Sequence, residues 1–169
     1  MKTRSNQEQE IATIKPRTIT VELSDADCER ISDQAARYGL TVGELLENFI
    51  GDLVDGTYSN GSDERDCADQ YCQRCWFSWM NENLLNHLHS YSNVRDFLMA
   101  WKEKVYAEAH PEEFEEERAM LEDGEKLWFE SEIEDVLEDW KPSREVDIDK
   151  EIAICKKWIV EREVLGAVK

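Results

Sequence analysis

Cys67, Cys72 and Cys75, followed by His87 and His89, come nearest to the types and spacing of a metal site. Two residues separate Cys72 from Cys75, a spacing zinc uses, and thiolates with imidazoles are ligands that zinc favours. His87 and His89, however, fall on a stretch that reads as helix, where positions two apart point away from each other. Cys72 and Cys75 also share helical spacing with Ala68 and Trp79, so buried apolar thiols are expected and no metal. Redox use of the pair lacks the βαβ setting such motifs need. There is no phosphate-cradling glycine loop, no serine-centred elbow and no cysteine-nucleophile signature. Paired carboxylates occur at almost every spacing, so their spacing selects no acid–base pair. The reading is a non-enzyme with no cofactor.

The dense chemistry is electrostatic. The 169 residues hold 39 acidic and 20 basic side chains, a net charge of −19. Residues 111–140 carry fourteen of those carboxylates against Arg118 and Lys126, whereas the first seventeen residues lean basic through Lys2, Arg4, Lys15 and Arg17. The candidate surface comprises Glu112, Glu113, Glu115, Glu116, Glu117, Glu122, Asp123, Glu130, Glu132, Glu134, Asp135, Glu138 and Asp139. Its plain alternative is a solvated helix face that serves solubility. Its functional reading is a rigid anionic surface for a cationic partner, because crowded like charge destabilises a fold and rows of carboxylates can imitate the phosphates of a duplex. Whole-molecule attraction to bare nucleic acid or anionic lipid is disfavoured by the same charge.

Forty-one per cent of the residues are hydrophobic and six are tryptophan, which argues for a packed core rather than an acidic disordered tail. No apolar run reaches the roughly 18–20 residues a bilayer crossing needs. The first ten residues lack the apolar stretch of a secretory signal, and five unevenly spaced cysteines suit a reduced, cytoplasmic protein.

Pattern then places the elements. Residues 1–16 are polar and end at Pro16, and are read as a flexible arm. Residues 18–23 alternate, with Ile19, Val21 and Leu23 on one face and Thr18, Thr20 and Glu22 on the other, the signature of a strand. Ser24 caps a helix bearing Cys28, Ile31, Ala35 and Tyr38, which stops at Gly39. Thr41 and Glu44 form a capping-box pair ahead of a second helix expected to bury Leu45, Leu46, Phe49, Ile50 and Leu53. The turn-rich residues 55–62 mark a domain boundary, and residues 62–169 read as an acidic all-helical domain. Its first helix is expected to run through Ala68, Cys72, Cys75 and Trp79 to about His89, and further apolar stripes follow in 94–105, 114–121, 129–140 and 148–159. Most aromatics are expected in the core; of the adjacent pairs Trp76–Phe77 and Trp128–Phe129, one member each should reach the surface.

Residues 17–55 resemble the ribbon-helix-helix family through Arg17 and the alternating strand, Leu23 and Ser24, a first helix, then Gly39, Leu40 and Thr41 ahead of a second helix. The resemblance implies a mainly α fold whose strand pairs with that of a second copy, so that Ile19, Val21 and Leu23 form a homodimer core. It also implies a DNA-facing ribbon at Arg17, Thr18, Thr20 and Glu22, with Thr41 at the phosphate-clasping start of the second helix. Glu22 departs from that pattern, since a carboxylate suits a groove flanked by phosphates only opposite cytosine. In composition the chain is similar to small acidic anti-restriction and anti-CRISPR proteins of phages and mobile elements. Two functions are therefore expected. One is a dimeric inhibitor whose acidic, nucleic-acid-mimicking face blocks a basic nucleic-acid-binding protein, such as a Cas9-type nuclease or a restriction system, whose channels are cationic. The other is a ribbon-helix-helix transcriptional regulator or antitoxin that binds operator DNA.

Overall fold

The computed structural model describes residues 4–75 and 82–166, with side chains from residue 7 onward. The protein is mainly helical, and among the described residues no strand occurs. The helices are α1 (Arg4–Ala12), α2 (Asp25–Arg37), α3 (Val42–Leu53), α4 (Ser62–Arg74), α5 (Leu84–Tyr91), α6 (Val94–Ala109), α7 (Glu115–Met120), α8 (Trp128–Asp139) and α9 (Ile148–Val164), with a 3-10 turn at Pro111–Phe114. They fall into two compact units, Met1–Ser78 and Trp79–Lys169. The division lies after α4 rather than at residues 55–62, because α4 packs on α3. None of the described helices is long and apolar enough to cross a membrane.

In the first unit, α1 replaces the flexible arm expected over residues 1–16. It has no apolar stripe, but Gln7, Glu8, Gln9, Glu10 and Ala12 are sound helix formers, and Glu10 accepts a hydrogen bond from the Thr57 hydroxyl at 3.0 Å. Residues 18–23 run without a strand partner and make no hydrogen bond among the described residues. A ribbon needs two strands, and one copy supplies one. Ser24 caps α2 by accepting from the Asp27 amide at 3.2 Å, and Gly39 (φ 71°) closes it in the left-handed region. At α3 the capping box is complete: the Glu44 amide donates to the Thr41 hydroxyl at 3.2 Å and the Thr41 amide to the Glu44 carboxylate at 2.7 Å.

Burial in this unit departs from the sequence reading. Of the α2 stripe only Ala35 is buried, while Cys28 and Tyr38 are exposed; of the α3 stripe Leu45 is half-buried and Leu46, Phe49, Ile50 and Leu53 are exposed. Ile19, Val21 and Leu23 are exposed too, each by more than half. The α3–α4 junction is held by polar bonds instead. Asp52 is buried and accepts from the Asn60 amide (2.7 Å), the Asn60 side chain (3.0 Å) and the Ser59 hydroxyl (3.2 Å). Gly56 sits so close to Gly51 that a Cβ there would lie 3.1 Å from the Gly51 backbone.

The second unit has its own core. Leu84 and Leu88 of α5, Phe97 and Ala100 of α6, Phe129, Ile133 and Val136 of α8, and Ile152 and Cys155 of α9 are buried together with Leu127 and Trp140. Helix α6 is the hub, touching α5, α8, α9 and the 3-10 turn. The single helix expected to reach His89 is in fact two, α4 and α5, the latter begun by Asn83, which accepts from the Asn86 amide at 2.8 Å. Its first amide, that of Leu84, donates to the buried Glu151 carboxylate of α9 at 2.9 Å, a cap supplied from 67 residues away. The chain turns out of α6 at His110 and Pro111, and α8 ends ahead of Lys141 and Pro142. Burial pushes the Cys155 thiol up to about 11, and burial also lowers the pKa of His87, against a smaller opposing pull from Asp139.

Candidate partner-binding surface

The thiols form no metal centre among the described residues, where no three His, Cys, Asp or Glu side chains converge. Cys67 is exposed and Cys72 and Cys75 are half-buried, so the burial expected of the pair is partial. His87 is buried in α5 with its ring 5.4 Å from that of Tyr91, while His89 is exposed and meets Trp158 edge-on. Trp76, Phe77 and Trp79 lie outside the described residues.

The acidic block occupies the 3-10 turn, α7, the following turn and α8. The block is anchored at both ends of α7 and along α8: Phe114 and Leu121 are half-buried against the core, and Phe129, Ile133, Val136 and Trp140 enter it, whereas the residues of α7 itself are exposed. Phe114 meets Phe129 edge-on with ring centres 5.8 Å apart. The pair Trp128–Phe129 divides, with Phe129 buried and Trp128 53% exposed.

The thirteen carboxylates sort into two groups. Some are spent within the unit. Arg118 donates to Glu130 at 2.6 Å, Lys126 pairs with Glu134, and the Tyr106 hydroxyl reaches both oxygens of Glu113 at 2.9 and 3.0 Å. Glu130 also accepts from the Leu127 amide at 3.2 Å, supporting the start of α8. The bond to Glu113 is the main cause that raises the Tyr106 pKa, and that to Glu134 raises the Lys126 pKa. The rest, Glu112, Glu115, Glu116, Glu117, Glu122, Asp123, Glu132, Asp135, Glu138 and Asp139, make no ion pair among the described residues.

Helical register gives α8 two carboxylate rows. Glu130, Glu134 and Glu138 follow at intervals of four, about 6 Å apart along the axis, and line an open groove of about 630 Å³ with Lys104, Lys126, Ile133 and Leu137. Glu132, Asp135 and Asp139 share the other flank with Trp128, at spacings of three and four residues. The first row is partly neutralised by lysine and arginine; the second makes no ion pair among the described residues and shares its flank with an exposed indole.

Sequence reasoning identified the block but not this division. Arg118 and Glu130 come from different elements, and no local spacing announces their pairing. Trp128 was legible only as half of an adjacent aromatic pair. Of the ribbon positions, Thr18, Thr20 and Glu22 lie on the unpaired segment, exposed like Arg17. Thr41 is engaged by Glu44 through both its amide and its hydroxyl (2.7 and 2.8 Å), which hold the Glu44 carboxyl below its usual range. The start of α3 thus already carries an internal anion.

No protein-family model matches the chain, and neither a curated protein nor a solved structure matches it.

Proposed function

We propose that the chain is a non-enzymatic inhibitor, dimeric through its first unit, that offers the acidic face of its second unit to a basic nucleic-acid-binding protein. The observation carrying this reading is the set of carboxylates without an ion pair among the described residues on the 3-10 turn, α7 and α8, of which α8 enters the packed core while α7 is exposed between the half-buried Phe114 and Leu121. Fixed charges of one sign steer an oppositely charged channel and lose little entropy when they dock. Trp128 among Glu132, Asp135 and Asp139 supplies the aromatic anchor that charge alone lacks. Dimerisation is supported by the exposed apolar residues of the first unit, with Ile19, Val21 and Leu23 alternating on a segment whose amides have no partner among the described residues. Two such segments pairing antiparallel would satisfy those amides and cover the side chains together.

A second reading, an operator-binding ribbon-helix-helix regulator, draws on the same segment with Arg17, Thr18 and Thr20. The Glu44 carboxylate counts against it, because it fills the place where a phosphate would meet the start of α3.

The test reverses charge at Glu115, Glu116 and Glu117 to lysine. Inhibition of duplex cleavage by a guide-loaded Cas9-type nuclease, or by a restriction enzyme, should weaken roughly tenfold or more while circular dichroism is unchanged, as expected for steered, salt-sensitive contacts. Equal potency of the triple variant and the wild type, or no inhibition by either, overturns the proposal.

A further inference from the structure

The groove along α6 and α8 differs from the rest of the acidic block in having an apolar lining. The two helices pack on each other, and the open groove of about 630 Å³ includes Ile133, which is buried, and Leu137, which is half-buried. Glu130, Glu134 and Glu138 follow one another along it at intervals of four residues, about 6 Å apart. Lys126, from the turn ahead of α8, pairs with Glu134. That bond, with the charges of Glu134, Glu138 and Glu130, holds the Lys126 pKa above its usual value although burial works against it. The row thus already holds a cation of the chain's own. A second hollow of about 480 Å³, which reaches Leu121 and Gly124, is also lined by Lys126 and Glu134, so this one ion pair borders both hollows.

Both members of the pair are close to half exposed, at 45% and 43%, and exposed pairs of this kind hold weakly and exchange with other ions. Glu138 makes no ion pair among the described residues. Lys104, the other cation in the lining, is engaged on α6 itself, by Glu108 at 3.6 Å and over the Trp101 ring at 4.8 Å. A carboxylate accepts several hydrogen bonds, and a guanidinium offers two parallel donors where an ammonium offers a point charge. An arginine from outside can therefore replace Lys126 at Glu134, and a second can meet Glu138. The chain that carries them has to be helical. Helices flank the groove, and among the described residues there is no sheet edge to pair with the amides of an extended segment. Residues four apart on a helix also repeat at the row's own interval of about 6 Å.

We propose, resting on the inhibitor reading, that this groove docks an amphipathic basic helix of the cationic partner, with arginines four residues apart on Glu134 and Glu138 and an adjoining apolar row on Leu137. Lys126 is the internal stand-in that such a helix displaces.

The experiment follows the fluorescence anisotropy of a labelled peptide of about fifteen residues, added to the full chain at about 0.15 M salt. The peptide has arginine at every fourth position, leucine on the adjoining helical row and alanine elsewhere. Saturable binding below about 100 μM is expected, and the same peptide with proline at its centre, which breaks the helix, should bind at least tenfold more weakly. Glu138→Lys should weaken binding at least tenfold. Lys126→Ala should tighten it severalfold by vacating Glu134, an outcome that damage to the fold would not produce, while Lys156→Ala, which removes the same charge from α9, should leave it unchanged. Absence of saturable binding, equal binding of the proline peptide, indifference to Glu138→Lys, or equal effects of the two lysine variants overturns the proposal. A chain that binds the peptide but inhibits no nuclease loses the inhibitor reading and keeps the groove. A Glu138→Lys chain that inhibits as well as the wild type keeps the inhibitor reading and loses the groove as its docking point.

Discussion

The two units are built on opposite economies of burial. The second encloses Phe97, Phe129, Leu84, Leu88, Leu127 and Cys155 almost completely, whereas the first, among the described residues, buries only Ala35 and Ala68 of its apolar side chains and leaves Leu46, Phe49, Ile50, Ile19 and Val21 exposed. Both carry amphipathic helices with sound caps. What differs is whether the apolar faces meet one another within one copy. Among the described residues the first unit encloses little apolar area within one copy, and burial yields only about 25 cal/mol per Å² against roughly 1–2 kcal/mol of ordering entropy per residue. On the proposed reading the first unit draws stability from a second surface, while the second unit has a core of its own within one copy.

The widest separation between the units should come from truncating an aromatic in one and inserting a charge in the other. Phe97→Ala removes a fully buried ring from the hub helix and should destabilise the second unit by about 3–5 kcal/mol. Val21→Asp, at a side chain 64% exposed in one copy, should leave that unfolding transition in place and instead halve the particle mass in sedimentation, by putting an unpaired charge into the apposed faces. A wild type that sediments as a monomer, or a Val21→Asp protein with undiminished mass, would mean that the apolar residues of the first unit have another purpose.

Glu151 gives the next largest effect. Its buried carboxylate receives the Leu84 amide, and Arg144 approaches its other oxygen at 3.8 Å, so α5 depends on α9 for its start. Glu151→Ala should cost about 1.5–3 kcal/mol, the range for a hydrogen bond to a charged group, and hydrogen exchange should quicken in α5 before α6. Uniform quickening across the second unit would assign Glu151 to packing rather than capping.

These elements also show how much the residues announced in advance. Helix ends fixed by local chemistry were legible: Ser24 and Thr41 as caps, Gly39 as the left-handed stop, Pro142 beyond α8. Helix α1 was not, because it lacks an apolar stripe and rests on propensity and on Glu10 bonding to Thr57. Periodicity told which face of α3 is apolar but not what covers it, so Leu46, Phe49 and Ile50 were expected inside and stand outside. The break between α4 and α5 escaped notice because the cysteine–tryptophan spacing stays helical through it. At the surfaces, the density of acid was plain from composition. Its division into paired and unpaired carboxylates was not, and neither was the ion pair of Arg95 with Glu163, which requires α6 and α9 to be packed together.

At α3 the expected effect is smaller and confined to the first unit. Thr41→Ala removes the hydroxyl half of a complete capping box and should cost about 1 kcal/mol, lowering the stability of the first unit while the second keeps its unfolding midpoint. A matching loss in both units would show that they unfold as one.

Acid should distinguish the units most gently. His87 is buried with its pKa lowered, so the native second unit resists a proton that the unfolded chain accepts near 6.5. Its contribution is complete above that value and declines as pH falls below it. Asp52 acts in the same direction but at lower pH: hydrogen bonds from Asn60 and Ser59 lower its pKa, so its contribution persists at pH values above 3.8 and fades only as pH drops through its native value. Between about pH 6 and 4 the second unit should therefore soften while the α3–α4 junction holds. His87→Gln should flatten that slope, and Asp52→Asn should leave it untouched. A softening that survives His87→Gln would mean that the buried imidazole does not govern it. The change between pH 6 and 4, read by thermal unfolding of the two variants, decides whether the buried imidazole governs the second unit in mild acid.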